Sequence, residues 1–165
     1  ACPVLCAQAV DLAELAALDL PLGSRGTMFG TEWEAIGWLE REAQGYVWQE
    51  YLLFNPYAGY RWLVVSGGAW QFGQMLTARP LPSGDGYGWA GRHFAAEDES
   101  AMITTRKVLG EFYWRVAVGD RVEAESYASS DGQTLSMEAT ADEVQWTHLV
   151  PVPPRWAQTT RCSKR

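Results

Sequence analysis

The sequence predicts an all-β domain, an antiparallel barrel or sandwich preceded by one short helix. Three observations carry this. Trp, Tyr and Phe make up 13% of the 165 residues, including nine tryptophans, and large aromatics suit pleated, half-buried strands. Short alternating runs recur from Leu22 to Leu149, separated by Gly, Pro, Asn and Asp, the residues that turns favour. Sixteen glycines supply the backbone freedom that many tight turns need.

The helix is expected over residues 7–20. Asp11 with Glu14 three positions on forms a capping-box pattern, Leu12, Leu15 and Ala16 share a face, and Pro21 ends it. From Leu22 the signal turns to strands. One runs over Thr31–Glu42. The clearest hairpin joins Tyr46–Phe54 to Tyr60–Ser66 through the loop Asn55-Pro56-Tyr57-Ala58-Gly59. Further strands are expected at Ala69–Leu76, Arg92–Glu97, Ala101–Leu109, Glu111–Val118, Arg121–Ala128, Thr134–Ala139 and Glu143–Leu149. The glycine-rich stretch Pro80–Gly91 reads as a loop, and Pro151, Pro153 and Pro154 end regular structure. The organisation is then a tail and helix at 1–21, a β domain at 22–152 and a basic tail at 153–165. The segments Leu22-Gly23-Ser24-Arg25 and Val118-Gly119-Asp120-Arg121 echo each other. Trp48 and Trp146 follow them at similar spacing, a pattern expected of two related β halves.

Composition narrows the function. Hydrophobic residues are 47% and charged residues 20%, a globular balance. The formal net charge of −7 and pI near 4.8 disfavour binding to phosphate backbones, so no nucleic-acid partner is expected. No apolar run approaches the ~20 residues of a membrane span. The three cysteines, Cys2, Cys6 and Cys162, sit at the two ends and form no disulfide framework, which points to a reducing, cytoplasmic setting. Opening on Ala1 reads as a fragment or processed product.

Catalytic and metal signatures are sparse. Cys2 and Cys6 are half of a zinc site at most, and His93 and His148 stand apart, so neither a metal nor a cofactor is expected. Gly84-Asp85-Gly86-Tyr87-Gly88 lacks the Lys-Ser/Thr of a phosphate loop. No nucleophile elbow or Cys/His signature is present, and no residue is assigned as catalytic. The sharpest feature is Glu50. In-register pairing of the hairpin sets Phe54 opposite Tyr60, Leu52 opposite Trp62 and Glu50 opposite Val64. Alternation then gathers Trp48, Glu50, Leu52, Phe54, Tyr60, Trp62 and Val64 on one face. A lone carboxylate in that setting needs a cation, hydrogen-bond donors or a proton. Arg25 and Arg121 are the candidate cations. The set Glu50, Trp48, Trp62, Arg25 and Arg121 is thus either a structural ion pair or a polar anchor in an aromatic ligand site. The enzymatic alternative is a carboxylate-dependent hydrolase using Glu50 or Glu111 with His93.

The runs Leu22–Gly30, Trp33-Glu34-Ala35-Ile36-Gly37, Trp48–Pro56, Gly59-Tyr60-Arg61-Trp62-Leu63, Gly110-Glu111-Phe112-Tyr113-Trp114, Val118–Val122, Ser136-Met137-Glu138 and Glu143-Val144-Gln145-Trp146 resemble a bacterial family known as domain of unknown function 4178. The resemblance covers roughly residues 20–150. It implies an accessory domain, often placed behind a zinc ribbon, in gene clusters linked to polyamine metabolism and stress response. Cys2 and Cys6 resemble a remnant of that ribbon. The expected function is a non-enzymatic binding or protein-interaction module. Its partner would be a protein or a small ligand, and the family context points to a polyamine, held by carboxylates and by cation–π contact with Trp.

Overall fold

The computed structural model describes the backbone of residues 4–8 and residues 18–153 in full. Among these residues, thirteen strands form one antiparallel sheet. They are β1 (Val4–Gln8), β2 (Arg25–Met28), β3 (Thr31–Ala43), β4 (Tyr46–Asn55), β5 (Gly59–Ser66), β6 (Ala69–Met75), β7 (Leu81–Ser83), β8 (Gly86–Trp89), β9 (Arg92–Ala96), β10 (Ala101–Phe112), β11 (Arg121–Ala128), β12 (Thr134–Ala139) and β13 (Val144–Val152). The order β10-β3-β4-β5-β6-β13-β12-β11 returns to β10 through a short pairing of Ala101–Thr104 with Arg121–Ala124. The sheet is therefore partly ringed, a single sheet rather than two stacked ones. The strands β1 and β2 add to β10 and β3, and β9-β8-β7 branch from β11 as an arm.

The sheet buries both of its faces. Tyr51, Leu52 and Leu53 are successive residues of β4, so they point alternately to opposite sides, yet all three are at most 1% exposed. A strand covered on both sides reads as a continuous apolar run, which is what this stretch is. On one face, Trp33, Trp38, Tyr51, Leu53, Leu63, Val65, Trp70 and Phe72 pack under Leu20 and Met28. The sheet curls tightly enough there for Trp33 of β3 to meet Phe72 of β6 at 5.7 Å between centroids. Tyr51 anchors the entering chain: its hydroxyl accepts the Leu20 N–H at 3.2 Å. On the other face Leu39, Leu52, Val108, Phe112 and Val116 form a second cluster, joined by Tyr60 and Trp62.

The hairpin register is as the sequence predicts, with Phe54 opposite Tyr60, Leu52 opposite Trp62 and Glu50 opposite Val64. Other expectations need correction. Of the expected helix, Ala7 and Gln8 belong to β1, Leu18 is irregular and Asp19 and Leu20 form a bend, while 9–17 lie outside the described residues. The stretch Pro80–Gly91 is a hairpin rather than a loop, because its glycines sit in strands and turns that pair Leu81 with Gly88 and Ser83 with Gly86. There is no separate strand at Glu111–Val118. The strand β10 continues through Gly110 to Phe112, with Gly110 at φ 98° beside Ile36 O. Pro151 does not end β13, which pairs with β6 as far as Val152.

The two Gly turns have matching backbone bonds. Gly23 N–H donates to Ala35 O and Ala35 N–H to Ser24 O; Gly119 N–H donates to Thr105 O and Thr105 N–H to Asp120 O. Their φ values are 89° and 92°. Each turn clasps a strand next to a bulge, at Ala35/Gly37 in β3 and at Thr105/Lys107 in β10. The clasped strand follows the first turn in the chain and precedes the second. Trp48 and Trp146 do not share surroundings: Trp48 lies beside Glu50, whereas Trp146 is buried under the arm with Phe94, Tyr127 and Leu135.

Candidate functional site

Two groups of carboxylates stand out. The first is buried. Arg41 of β3, 8% exposed, lies on the same face as Glu50. Its Nη1 is 3.2 Å from Glu50 Oε1, and its Nη2 pairs with Glu138 of β12. The strands β3 and β12 are not neighbours in the sheet, so Arg41 ties distant parts of the ring together. Trp48 Nε1 also donates to Glu50 Oε1, at 2.9 Å. Burial disfavours the guanidinium charge, but Glu50 and Glu138 outweigh it, and the pKa of Arg41 is raised.

This network brings together Glu50 and Trp48 from the expected set. Trp62 lies on the same face two strand positions away, with its ring edge on Trp114 at 5.6 Å. The expected cations lie elsewhere. Arg25 pairs with Glu32 at 3.9 Å and Glu34 at 3.7 Å on the surface. Arg121 is exposed at the start of β11. Each begins a strand just after its Gly turn, and the cation beside Glu50 is Arg41. Pairing runs without a break from the Gln44-Gly45 turn, Ala43 with Tyr46 and Arg41 with Trp48, and this sets Arg41 on the Glu50 face. The bulge at Ala35/Gly37 lies farther along β3 and turns Ala35 towards Leu53.

The second group lines an open cleft of about 420 Å³ between the arm and β11. The arm is attached to β11 by two residue pairs, Tyr127 with Ala96 and Ala128 with Ala95. Aromatic packing seats it: Tyr87 meets Tyr127 at 5.0 Å and Trp146 at 4.7 Å, and Phe94 is fully buried. The cleft is lined by Pro82, Gly84, Asp85, Gly86, Tyr87, Ala96, Asp98, Glu99, Ser100, Glu125 and Tyr127. Four of these are carboxylates and none is basic. The Tyr127 hydroxyl donates to Glu125; burial and that carboxylate together raise the phenol's pKa, so it remains a donor. Gly86 is required where it stands, because a Cβ there would lie 1.9 Å from Phe94 O.

His93 belongs to the arm, with Nε2 2.9 Å from Asp85 Oδ1. His148 lies on β13 beneath it, bonded to Gln133 at 2.7 Å and 4.7 Å from the Trp89 ring. Its pKa is lowered by burial and by the nearby Arg92. Glu111 is half-buried on β10. Glu50 and His93 thus have different partners, Arg41 with Trp48 for one and Asp85 for the other.

Among the described residues, no group of three or more His, Cys, Asp or Glu is placed to hold a metal ion. Cys6 is in β1, and Cys2 and Cys162 lie outside the described residues. No described helix is long and apolar enough to cross a membrane.

No curated protein and no solved structure matches this chain. Residues 21–154 match the family described as Domain of unknown function (DUF4178). That span holds β2 to β13, the Arg41 network and the cleft, so the chain belongs to the DUF4178 family.

Proposed function

We propose that this domain is a non-enzymatic binding module for an organic polycation, with a polyamine as the simplest ligand class. The supporting observation is the cleft beside the arm. Its lining carries Asp85, Asp98, Glu99 and Glu125 with Tyr87 and Tyr127, and no Lys or Arg. Carboxylates there can pair with ammonium groups, and tyrosine rings can cover the aliphatic stem between them. The volume is within the usual range for small-ligand sites. In this reading Glu50, Trp48 and Trp62 serve the fold, because the charge of Glu50 is already met by Arg41. A polyamine-linked, stress-response role in the cytoplasm is the setting that the family resemblance and the end-placed cysteines favour.

The test is isothermal titration with spermidine. Saturable binding is expected at low salt, weakening as salt screens the exposed carboxylates. Glu125→Gln, which keeps an acceptor for the Tyr127 hydroxyl, should reduce affinity. Absence of saturable binding at low salt contradicts the proposal.

A further inference from the structure

The arm joins β11 through Tyr127 with Ala96 and Ala128 with Ala95, and side chains make the rest of its seat. Phe94 is fully buried there with Tyr127, Leu135 and Trp146. His148 of β13 belongs to the same seat. Its ring centroid is 4.7 Å from Trp89 of β8 and 6.1 Å from Phe94 of β9. A polar chain also links it to the arm. Arg92 of β9 pairs with Asp131 at 3.0 Å, Gln133 Nε2 donates to Asp131 Oδ2 at 3.2 Å, and Gln133 Oε1 is 2.7 Å from His148 Nε2. The carboxylate sets the amide's orientation: its NH2 faces Asp131, so its oxygen faces the imidazole and Nε2 carries the proton. The cross-strand neighbours of His148, Leu135 of β12 and Gln74 of β6, carry no charge. The charged groups that act on it are Arg92 and Asp131.

We infer that His148 is a pH-sensitive latch for the arm: the neutral ring seats Trp89 and Phe94, and protonation favours the state in which the arm has lifted. This does not depend on what occupies the cleft. A second proton places charge on a ring packed under the arm's aromatics, where water reaches it poorly. Arg92 adds a like charge that Asp131 only partly offsets. With the arm seated, the pKa of His148 is accordingly lowered, by burial first and Arg92 second. Lifting the arm takes Trp89, Phe94 and Arg92 away and returns the ring to water, so the lifted state binds the proton more readily. The contribution of His148 to seating is present above the ordinary histidine value of about 6.5 and is lost as pH falls through the lowered value. The Trp89 face attracts an imidazolium, and the latch requires burial and Arg92 to outweigh that attraction. Asp131 is held below the usual carboxylate range by its bonds from Ser129 and Arg92, so the Arg92–Asp131 pair stays charged in mild acid. The other histidine, His93, bonds to Asp85.

The experiment is hydrogen exchange on the full chain at about pH 7.5 and about pH 5, either side of the histidine range. It reads the protection of the β8 and β9 amides against that of β3–β6, each corrected for the intrinsic exchange rate at that pH. The wild type should lose arm protection in acid while β3–β6 keep theirs. His148→Gln keeps a donor for Gln133 and retains His93, and its arm should lose much less. An NMR titration of the His148 ring gives a second readout that needs no variant: its midpoint should lie below about 6.5. Arm protection that is unchanged in acid, or that falls equally in the wild type and in His148→Gln, overturns the latch. A midpoint at or above the ordinary value overturns it too, because acid would then hold the arm down.

Discussion

Glu50 and Glu125 are both strand glutamates that accept a hydrogen bond from an aromatic side chain two residues away, Trp48 Nε1 for one and Tyr127 Oη for the other. Their surroundings separate them. The Glu50 side chain is 13% exposed and faces Arg41, which is shared with Glu138 across the ring. Glu125 opens on a cleft with three further carboxylates and no basic lining. The same residue type in the same kind of strand thus does two jobs. A buried carboxylate is costly unless paired, so its partner is built in. A carboxylate at an open cleft is solvated, and its charge is available to something that arrives.

Changing Arg41 should produce the largest effect. Arg41→Met leaves Glu50 and Glu138 facing each other without a cation, and removing one partner of a buried pair costs about 3–5 kcal/mol. Urea unfolding should show that loss, and adding Glu50→Gln and Glu138→Gln to Arg41→Met should recover a good part of it. Next comes the arm. Gly86→Ala pushes a methyl into Phe94 O, at a cost of about 1–3 kcal/mol for overpacking. Hydrogen exchange should show β7–β9 loosened while β3–β6 stay protected, and spermidine binding should weaken with the arm. The smallest effect is electrostatic. His148 has a pKa lowered in the fold, so the native state binds a proton less readily than the unfolded chain. Its contribution to stability is present above the ordinary histidine value of about 6.5 and is lost as pH falls through the folded value. The melting temperature should therefore drop slightly more between neutral pH and mild acid in the wild type than in His148→Gln.

The sequence held the fold class and the Glu50 hairpin because both depend on local pattern. Alternation from Tyr46 to Ser66 around an Asn-Pro-x-x-Gly turn defines a register, and that register places Trp48, Glu50 and Trp62 on one face. Arg41 follows from local pattern only once the pairing is carried back across the Gln44-Gly45 turn, which sets it opposite Trp48. Glu138 was hidden by closure of the ring, since no local pattern says that β12 meets β3. The cleft was hidden for a third reason: its glycines read as a loop, whereas Gly86 and Gly88 are strand residues, and Gly86 lets the arm's backbones approach closely. The matching Gly23 and Gly119 turns were legible as local motifs, but the strands they clasp stand in opposite chain order.

The division between the two carboxylate sites is tested most directly by measuring stability and spermidine affinity on the same two variants, Glu50→Gln and Glu125→Gln. Glu50→Gln should lower stability while leaving affinity at low salt close to wild type. Glu125→Gln should keep stability within about 0.5 kcal/mol, as expected for a surface change, and should lose affinity. If Glu50→Gln abolishes binding and Glu125→Gln binds like the wild type, the ligand belongs to the Glu50 face and the account is wrong.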